Sequence, residues 1–192
     1  MTAGPLDVAL IVAEALERCG VTYVVGGSLA SSLGGEPRST LDVDIVVALE
    51  ERHVDCVATA LDDQFYASVP AIRRAVGERT SVNVIHLATG MKVDLFVAGG
   101  GPLDFLQLER RRLVQPAGLR RALYVQTPED ILLQKLRWHR LGGETSDRQW
   151  RDVLGLILVQ GPSLDAGYLR GQAERLELSE LLARAFSQVD GH

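Results

Sequence analysis

The sequence predicts an α/β (α+β) fold, a mixed sheet with flanking helices followed by a mainly helical C-terminal part. Three observations lead there. Apolar runs of strand length recur at 21–25, 41–47, 82–87 and 91–97. Amphipathic helical spacing occupies 5–19 and 50–61 between or before them. From Thr127 onward the pattern is helical to the end.

In chain order, Leu6, Ala9, Leu10, Ala13 and Leu16 recur at helical spacing, and Gly20 follows as a C-terminal cap. A strand at 21–25 runs into a Gly26-Gly27 turn and a short helix at 28–33, which Gly34 and Gly35 end. The strand at 41–47 precedes a helix at 50–61 with Val54, Val57, Ala58 and Leu61 on one side. Strands at 82–87 and 91–97 flank Ala88, Thr89 and Gly90, which read as a hairpin turn. After Gly99, Gly100 and Gly101 comes a short helix at 102–109, then two strands at 112–115 and 122–126 around a turn at 116–118. Thr127 caps the next helix and Pro128 takes its first position. Helix breaks follow at Gly142-Gly143, at Gly161-Pro162 and around 176–177. The organisation expected is a core over 1–100 and a helical part over 101–192, which either stands apart or completes the same domain.

The chemistry concentrates in the first half. Asp42 and Asp44 lie two apart in a strand, so both carboxylates leave the same face of the sheet. Like charges held that close are tolerable where a cation lies between them, and a divalent metal carrying a phosphate suits two carboxylates. Ile45, Val46 and Val47 continue as an apolar run, which reads as a strand buried on both faces, where charge is costly without a partner. Asp94, between Val93 and Leu95 on a later strand, meets the same objection. The paired glycines let backbone amides at the next helix start approach phosphate oxygens with no Cβ in the way.

Strand, Gly26-Gly27-Ser28 turn, helix, Asp42-x-Asp44 strand and Asp94 on a later strand together resemble the nucleotidyltransferase superfamily of DNA polymerase β-like enzymes. The resemblance implies that Gly26, Gly27 and Ser28 contact the triphosphate of an NTP, with Arg38 and Thr40 nearby. It implies that Asp42 and Asp44 bind magnesium, two ions in all. Asp94 joins the metals or takes the proton of the attacking hydroxyl. In the second half, Lys135 on one helix and Asp147, Arg148, Arg151 and Asp152 on the next are similar to the helical part of AbiEii-type abortive-infection toxin nucleotidyltransferases. That similarity implies a phosphate contact for Lys135 and a supporting acid at Asp152 or Asp147.

Composition narrows the rest. A net charge of −5 argues against gripping nucleic acid by overall charge. Lys92 and Lys135 are the only lysines among many arginines, a bias expected of a GC-rich bacterial genome. No apolar run spans a bilayer and no leader pattern opens the chain, so a cytoplasmic protein with no membrane partner is expected. Cys19 and Cys56 are expected as reduced, largely buried thiols, with neither disulfide nor zinc. His53, His86, His139 and His192 show no metal spacing, and His86 reads as a half-buried structural residue. Trp138 and Trp150 read as bridges between packed helices. Arg110, Arg111, Arg112, Arg120 and Arg121 read as a charged hairpin exposed to solvent, with an RNA-facing patch as the alternative. The function expected is magnesium-dependent transfer of an NMP from an NTP to a hydroxyl. The acceptor would be tRNA in a toxin–antitoxin setting with a cognate antitoxin protein, or a small molecule of the antibiotic kind. A protein AMP-transferase and a silent nucleotide-binding or antitoxin module stand as alternatives.

Overall fold

The computed structural model describes residues 3–34, 42–116, 118 and 121–191. Its chain divides into two compact units. One comprises Met1–Ala30 with Ser39–Gln126, and the other Ser31–Arg38 with Thr127–His192.

The first unit is built on a seven-stranded mixed sheet. The strands are β1 (Tyr23–Val25), β2 (Asp42–Val47), β3 (Phe65–Tyr66), β4 (Ser81–His86), β5 (Lys92–Val97), β6 (Arg112–Val114) and β7 (Leu123–Val125). Their spatial order is β3-β4-β5-β2-β1-β7-β6. β2 runs parallel to β5 and β1 parallel to β7, while the remaining pairs are antiparallel. The helices of this unit are α1 (Pro5–Arg18), the start of α2 (Gly27–Gly34), α3 (Val54–Leu61), α4 (Val69–Glu78) and α5 (Asp104–Arg110).

Strand alternation gives the sheet two unlike faces. Val43, Ile45 and Val47 of β2 and Val93, Leu95 and Val97 of β5 point to one face and are all but sealed from water. The opposite face carries Asp42, Asp44 and Val46 on β2 and Lys92, Asp94 and Phe96 on β5. Only its far end is apolar. There Val24, Val46, Ala98 and Leu108 form a core cluster with Ala48 and Phe96 packed on it, so α5, which supplies Leu108, covers the C-terminal ends of β2 and β5. The acidic ends of the same strands lie beyond that cover. The expectation of a β2 buried on both faces therefore holds from Ile45 onward and fails at its start, where Asp42 is exposed and Asp44 half-buried. Each inward side chain of this kind contributes about 1.5–3 kcal/mol, which fixes the register and with it the positions of the acids.

α1 buries Val8, Ala9, Val12, Ala13, Ala15 and Leu16, with Leu6 and Leu10 at the margin of the stripe. Asp7 accepts the Gly4 N–H at 2.8 Å, which closes the helix start. Tyr23 on β1 donates its hydroxyl to Glu17 at 3.0 Å, and burial followed by the neighbouring carboxylate pushes that hydroxyl above its ordinary pKa. Arg121 reaches the same helix, pairing with Glu14 at 3.0 Å and Glu17 at 2.9 Å. Arg111 lies over the Tyr124 ring at 4.6 Å. These two arginines are thus engaged inside the unit; Arg110 closes α5, and Arg111 is half-buried, so neither belongs to an exposed charged hairpin. Arg120 lies outside the described residues.

Cys19 and Cys56 depart from expectation. They form a disulfide with a Cα–Cα distance of 5.8 Å across 37 residues of sequence. Cys19 is half-buried and Cys56 exposed, so neither is the buried thiol the sequence suggested. The cause is tertiary: α1 and α3 pack side by side and bring the end of one against the start of the other, a juxtaposition that sequence separation does not encode.

Residues 62–80 carried no sequence expectation and hold β3 and α4. Ser68 caps α4 by accepting the Ala71 N–H at 3.4 Å, and Pro70 sits in its first turn. His86 is fully buried, packed on Phe65 at 5.1 Å and bonded to the Thr89 hydroxyl at 2.8 Å.

The second unit is helical. α6 (Pro128–Leu141), α7 (Asp147–Gln160), α8 (Ala166–Arg175) and α9 (Ser179–Asp190) follow one another, with a short 3-10 turn at Gly161–Ser163. Thr127 caps α6 as the sequence predicts, accepting the Asp130 N–H at 3.2 Å. Trp150 of α7 donates to Gln188 of α9 at 3.0 Å and stacks near His139 of α6 at 5.2 Å, which makes it the expected bridge. Trp138 is 47% exposed and does not fill that role. No described helix is long and apolar enough to cross a membrane.

Candidate functional site

The turn after β1 is tied directly to β2. The Gly26 N–H donates to the Asp44 carbonyl at 2.9 Å, and the Ala30 N–H returns to the Gly26 carbonyl at 3.1 Å as α2 begins. A Cβ at Gly26 would lie 2.8 Å from Gln126 Nε2, whose amide in turn donates to Gln107 at 2.6 Å in a buried pair. Gly27 adopts φ +60°, and a Cβ there would lie 2.7 Å from the Asp44 Cγ and collide with its carboxylate. Both glycines thus lie where a Cβ would displace a neighbouring side chain, and Gly27 also adopts a positive φ that favours glycine. The result places the first amides of α2, at Gly27 and Ser28, beside the Asp44 side chain.

Register places the acids. β2 and β5 are parallel with Asp42 opposite Lys92 and Asp44 opposite Asp94, so Asp44 and Asp94 are direct cross-strand neighbours on the open face. Like charges in that relation destabilise a sheet. Asp94 is half-buried, its side chain 18% exposed, and Lys92 Nζ stands 3.4 Å from its Oδ2. On the other flank, antiparallel β4 sets Asn83 opposite Asp94, and Asn83 Nδ2 donates to Asp94 Oδ1. A single row therefore runs across the sheet from Asn83 through Asp94 and Asp44 to the glycine turn.

Not every expected residue joins that row. Asp42 is exposed, at the beginning of β2 and opposite Lys92. Arg38 and Thr40 lie outside the described residues. Lys135 and Asp152 belong to the helical unit, where Lys135 Nζ meets Asp152 Oδ2 at 2.6 Å with both side chains largely sealed from water. Asp147 is exposed in the first turn of α7, next to the Ser146 cap, where a carboxylate suits the helix dipole.

Among the described residues, no three His, Cys, Asp or Glu side chains converge as a ready-made metal cage. The fit to a hard divalent ion is of a different kind. Magnesium is usually held by one or two carboxylates together with substrate phosphates, and the Asp44–Asp94 pair beside the α2 amides offers oxygen donors of that type.

Asn83, Gln107 and Gln126 are residues the sequence did not single out. The only signal for Asn83 was its alternation with Val82 and Val84, which marks an outward position and names no partner.

No protein-family profile matches the chain, and no curated protein is significantly similar to it in sequence. Solved structures are similar in fold. An antigenic nucleotidyltransferase-like protein from Paracoccidioides brasiliensis superimposes with a TM-score of 0.58 at 20% identity, covering 95% of this chain and 92% of that one. ANT(2'')-Ia in complex with adenylyl-2''-tobramycin gives 0.59 at 10% identity over 90% of this chain and 96% of that one. The solution structure of the antibiotic-resistance factor ANT(2'')-Ia gives 0.54 at 11% identity over 100% and 98%. At such identities the likeness establishes a nucleotidyltransferase-like fold.

Proposed function

We propose that the protein is a nucleotidyltransferase that moves an NMP from an NTP to a hydroxyl acceptor and releases pyrophosphate. The observation that carries the reading is the row formed by Asp94, Asp44 and Gly27: two carboxylates in register on an open sheet face, with a helix start pressed against one of them. Two carboxylates so placed repel each other, and a cation arriving with a polyanion relieves that repulsion.

In this reading the Gly27 and Ser28 amides donate to the outer phosphates, and the dipole of α2 favours their charge. Asp42, Asp44 and Asp94 would hold magnesium ions, which would supply charge neutralisation at the phosphates. The acceptor oxygen bonds to the α-phosphorus, the bond from that phosphorus to the bridging oxygen of the β-phosphate breaks, and the hydroxyl proton passes to the Asp94 carboxylate or to water as pyrophosphate departs. Roles for Arg38 and Thr40 at the nucleotide, for Lys135 at the phosphates and for Asp152 as supporting acid are supported by sequence resemblance.

A small-molecule hydroxyl is the acceptor to try first, because a similar fold has been captured with an adenylylated aminoglycoside. The tRNA acceptor and toxin setting rest on the motif in the helical part. Incubation of the protein with each α-labelled NTP, magnesium, and separately an aminoglycoside and lincosamide panel or total tRNA tests the reading. Transfer of label that disappears in Asp44→Asn supports it, and the labelled product identifies the acceptor. No label on any acceptor from any NTP would overturn it in favour of a binding module.

A further inference from the structure

Asp94 stands between a like charge and an amide. Its β2 neighbour in register is Asp44, which repels it, and its β4 neighbour in register is Asn83. Left to Coulomb repulsion, the Asp94 side chain would turn away from Asp44 toward solvent. Two donors fix where the carboxylate rests, the Asn83 amide on Oδ1 and the Lys92 ammonium near Oδ2 at 3.4 Å. A carboxylate oxygen can only accept, so the Asn83 amide is oriented with its NH₂ toward Asp94 and its oxygen away. Directly opposed cross-strand Cβ atoms are about 5 Å apart, a separation that the single methylene of asparagine spans.

The pairing also belongs to the backbone. Val82, Val84 and His86 anchor the inner face of β4 and fix its register, so the β5 residue directly opposite Asn83 is Asp94. Lys92 differs in kind: its side chain is 47% exposed on a flexible stem, so it supplies charge more than direction.

We infer that Asn83 is a positioning residue that fixes the Asp94 carboxylate by one oxygen in the row it shares with Asp44, and so prepares the pair for a divalent cation. This rests on the nucleotidyltransferase reading above. It touches neither nucleotide nor acceptor and acts through Asp94 alone. Groups one step removed from a metal ligand usually change metal affinity or activity about 10–100-fold when removed.

Manganese binding to the full-length protein, followed by electron paramagnetic resonance with and without a non-hydrolysable NTP, provides a readout independent of turnover. Wild type, Asp44→Asn, Asn83→Ala and Asn83→Thr are compared, the threonine variant because it suits a strand. Both Asn83 variants are expected to keep the melting temperature of the wild type, to weaken Mn²⁺ binding about 10–100-fold, and to lower kcat with little change in the NTP KM. Wild-type Mn²⁺ affinity in both variants would overturn the inference, including where transfer is slowed for another cause. If wild type binds Mn²⁺ in an Asp44-dependent way and transfers label while the variants do the same, the inference alone falls. If wild type does neither, the functional reading falls and takes this inference with it.

Discussion

Acidic residues in the two units are treated in opposite ways. In the helical unit each buried acid has a donor of its own: Asp152 meets Lys135 at 2.6 Å, Asp130 accepts the Tyr168 hydroxyl at 2.6 Å, and Glu129 accepts the Asp165 N–H at 3.0 Å. In the sheet unit Asp44 and Asp94 are set in register against each other on the more open face. The acids of the helical unit each meet a donor, whereas the sheet sets two acids side by side, with Asn83 and Lys92 as donors to one of them. That difference can be tested by substitution.

Asp44→Asn should have the largest effect. Transfer should fall about a thousand-fold or more, corresponding to several kcal/mol of charge stabilisation, while the melting temperature stays equal or rises as cross-strand repulsion is relieved. Labelled-NTP turnover and calorimetry on the same sample decide, and a lower melting temperature would show that Asp44 also supports the fold.

Lys135→Met tests the other side. It leaves Asp152 buried without its cation and should cost about 3–5 kcal/mol of stability, much of it restored by Lys135→Met combined with Asp152→Leu. Denaturant titration measures both variants. A single variant as stable as wild type would show that the pair is kept for something other than the fold.

Gly27→Ala probes the contact between turn and acid. The added methyl must occupy the space of the Asp44 carboxylate at a positive φ, so a stability loss of about 1–3 kcal/mol should accompany a larger loss of transfer. Unaltered transfer would disconnect the turn from the chemistry. Reduction of the Cys19–Cys56 disulfide has the smallest expected effect on the comparison, because it leaves both sets of acids in place. By chain entropy, closing a loop of 37 residues contributes up to about 4 kcal/mol, read as a lower melting temperature in reductant. Thiol titration of the unreduced protein should find no reactive cysteine.

Local signals were read well from the sequence. Thr127 and Pro128 mark the start of α6 by capping chemistry, Ala88 to Gly90 turn β4 into β5, and the breaks near Gly142 and Glu177 match changes of helix. Each depends on neighbours within a few residues. What the sequence left dark depends on packing between distant segments. β3 has two residues, too few for a period, and α4 hid its apolar stripe of Ile72, Ala75 and Val76 among arginines. The disulfide, the partnership of Lys135 with Asp152 and that of Asn83 with Asp94 all require knowing which strand or helix lies beside which. Asp44 and Asp94 were named from the sequence, but only parallel register sets them opposite one another.

The disulfide has a topological consequence. Residues 19–56 form a covalent ring, and that ring contains β1, Gly26, Gly27, Ser28, α2 and both Asp42 and Asp44. A protease that cuts once anywhere inside it severs the peptide chain without releasing a fragment. The nicked protein would run as one species without reductant and as two with it, and the two ends of the cut would stay tethered through α1 and α3.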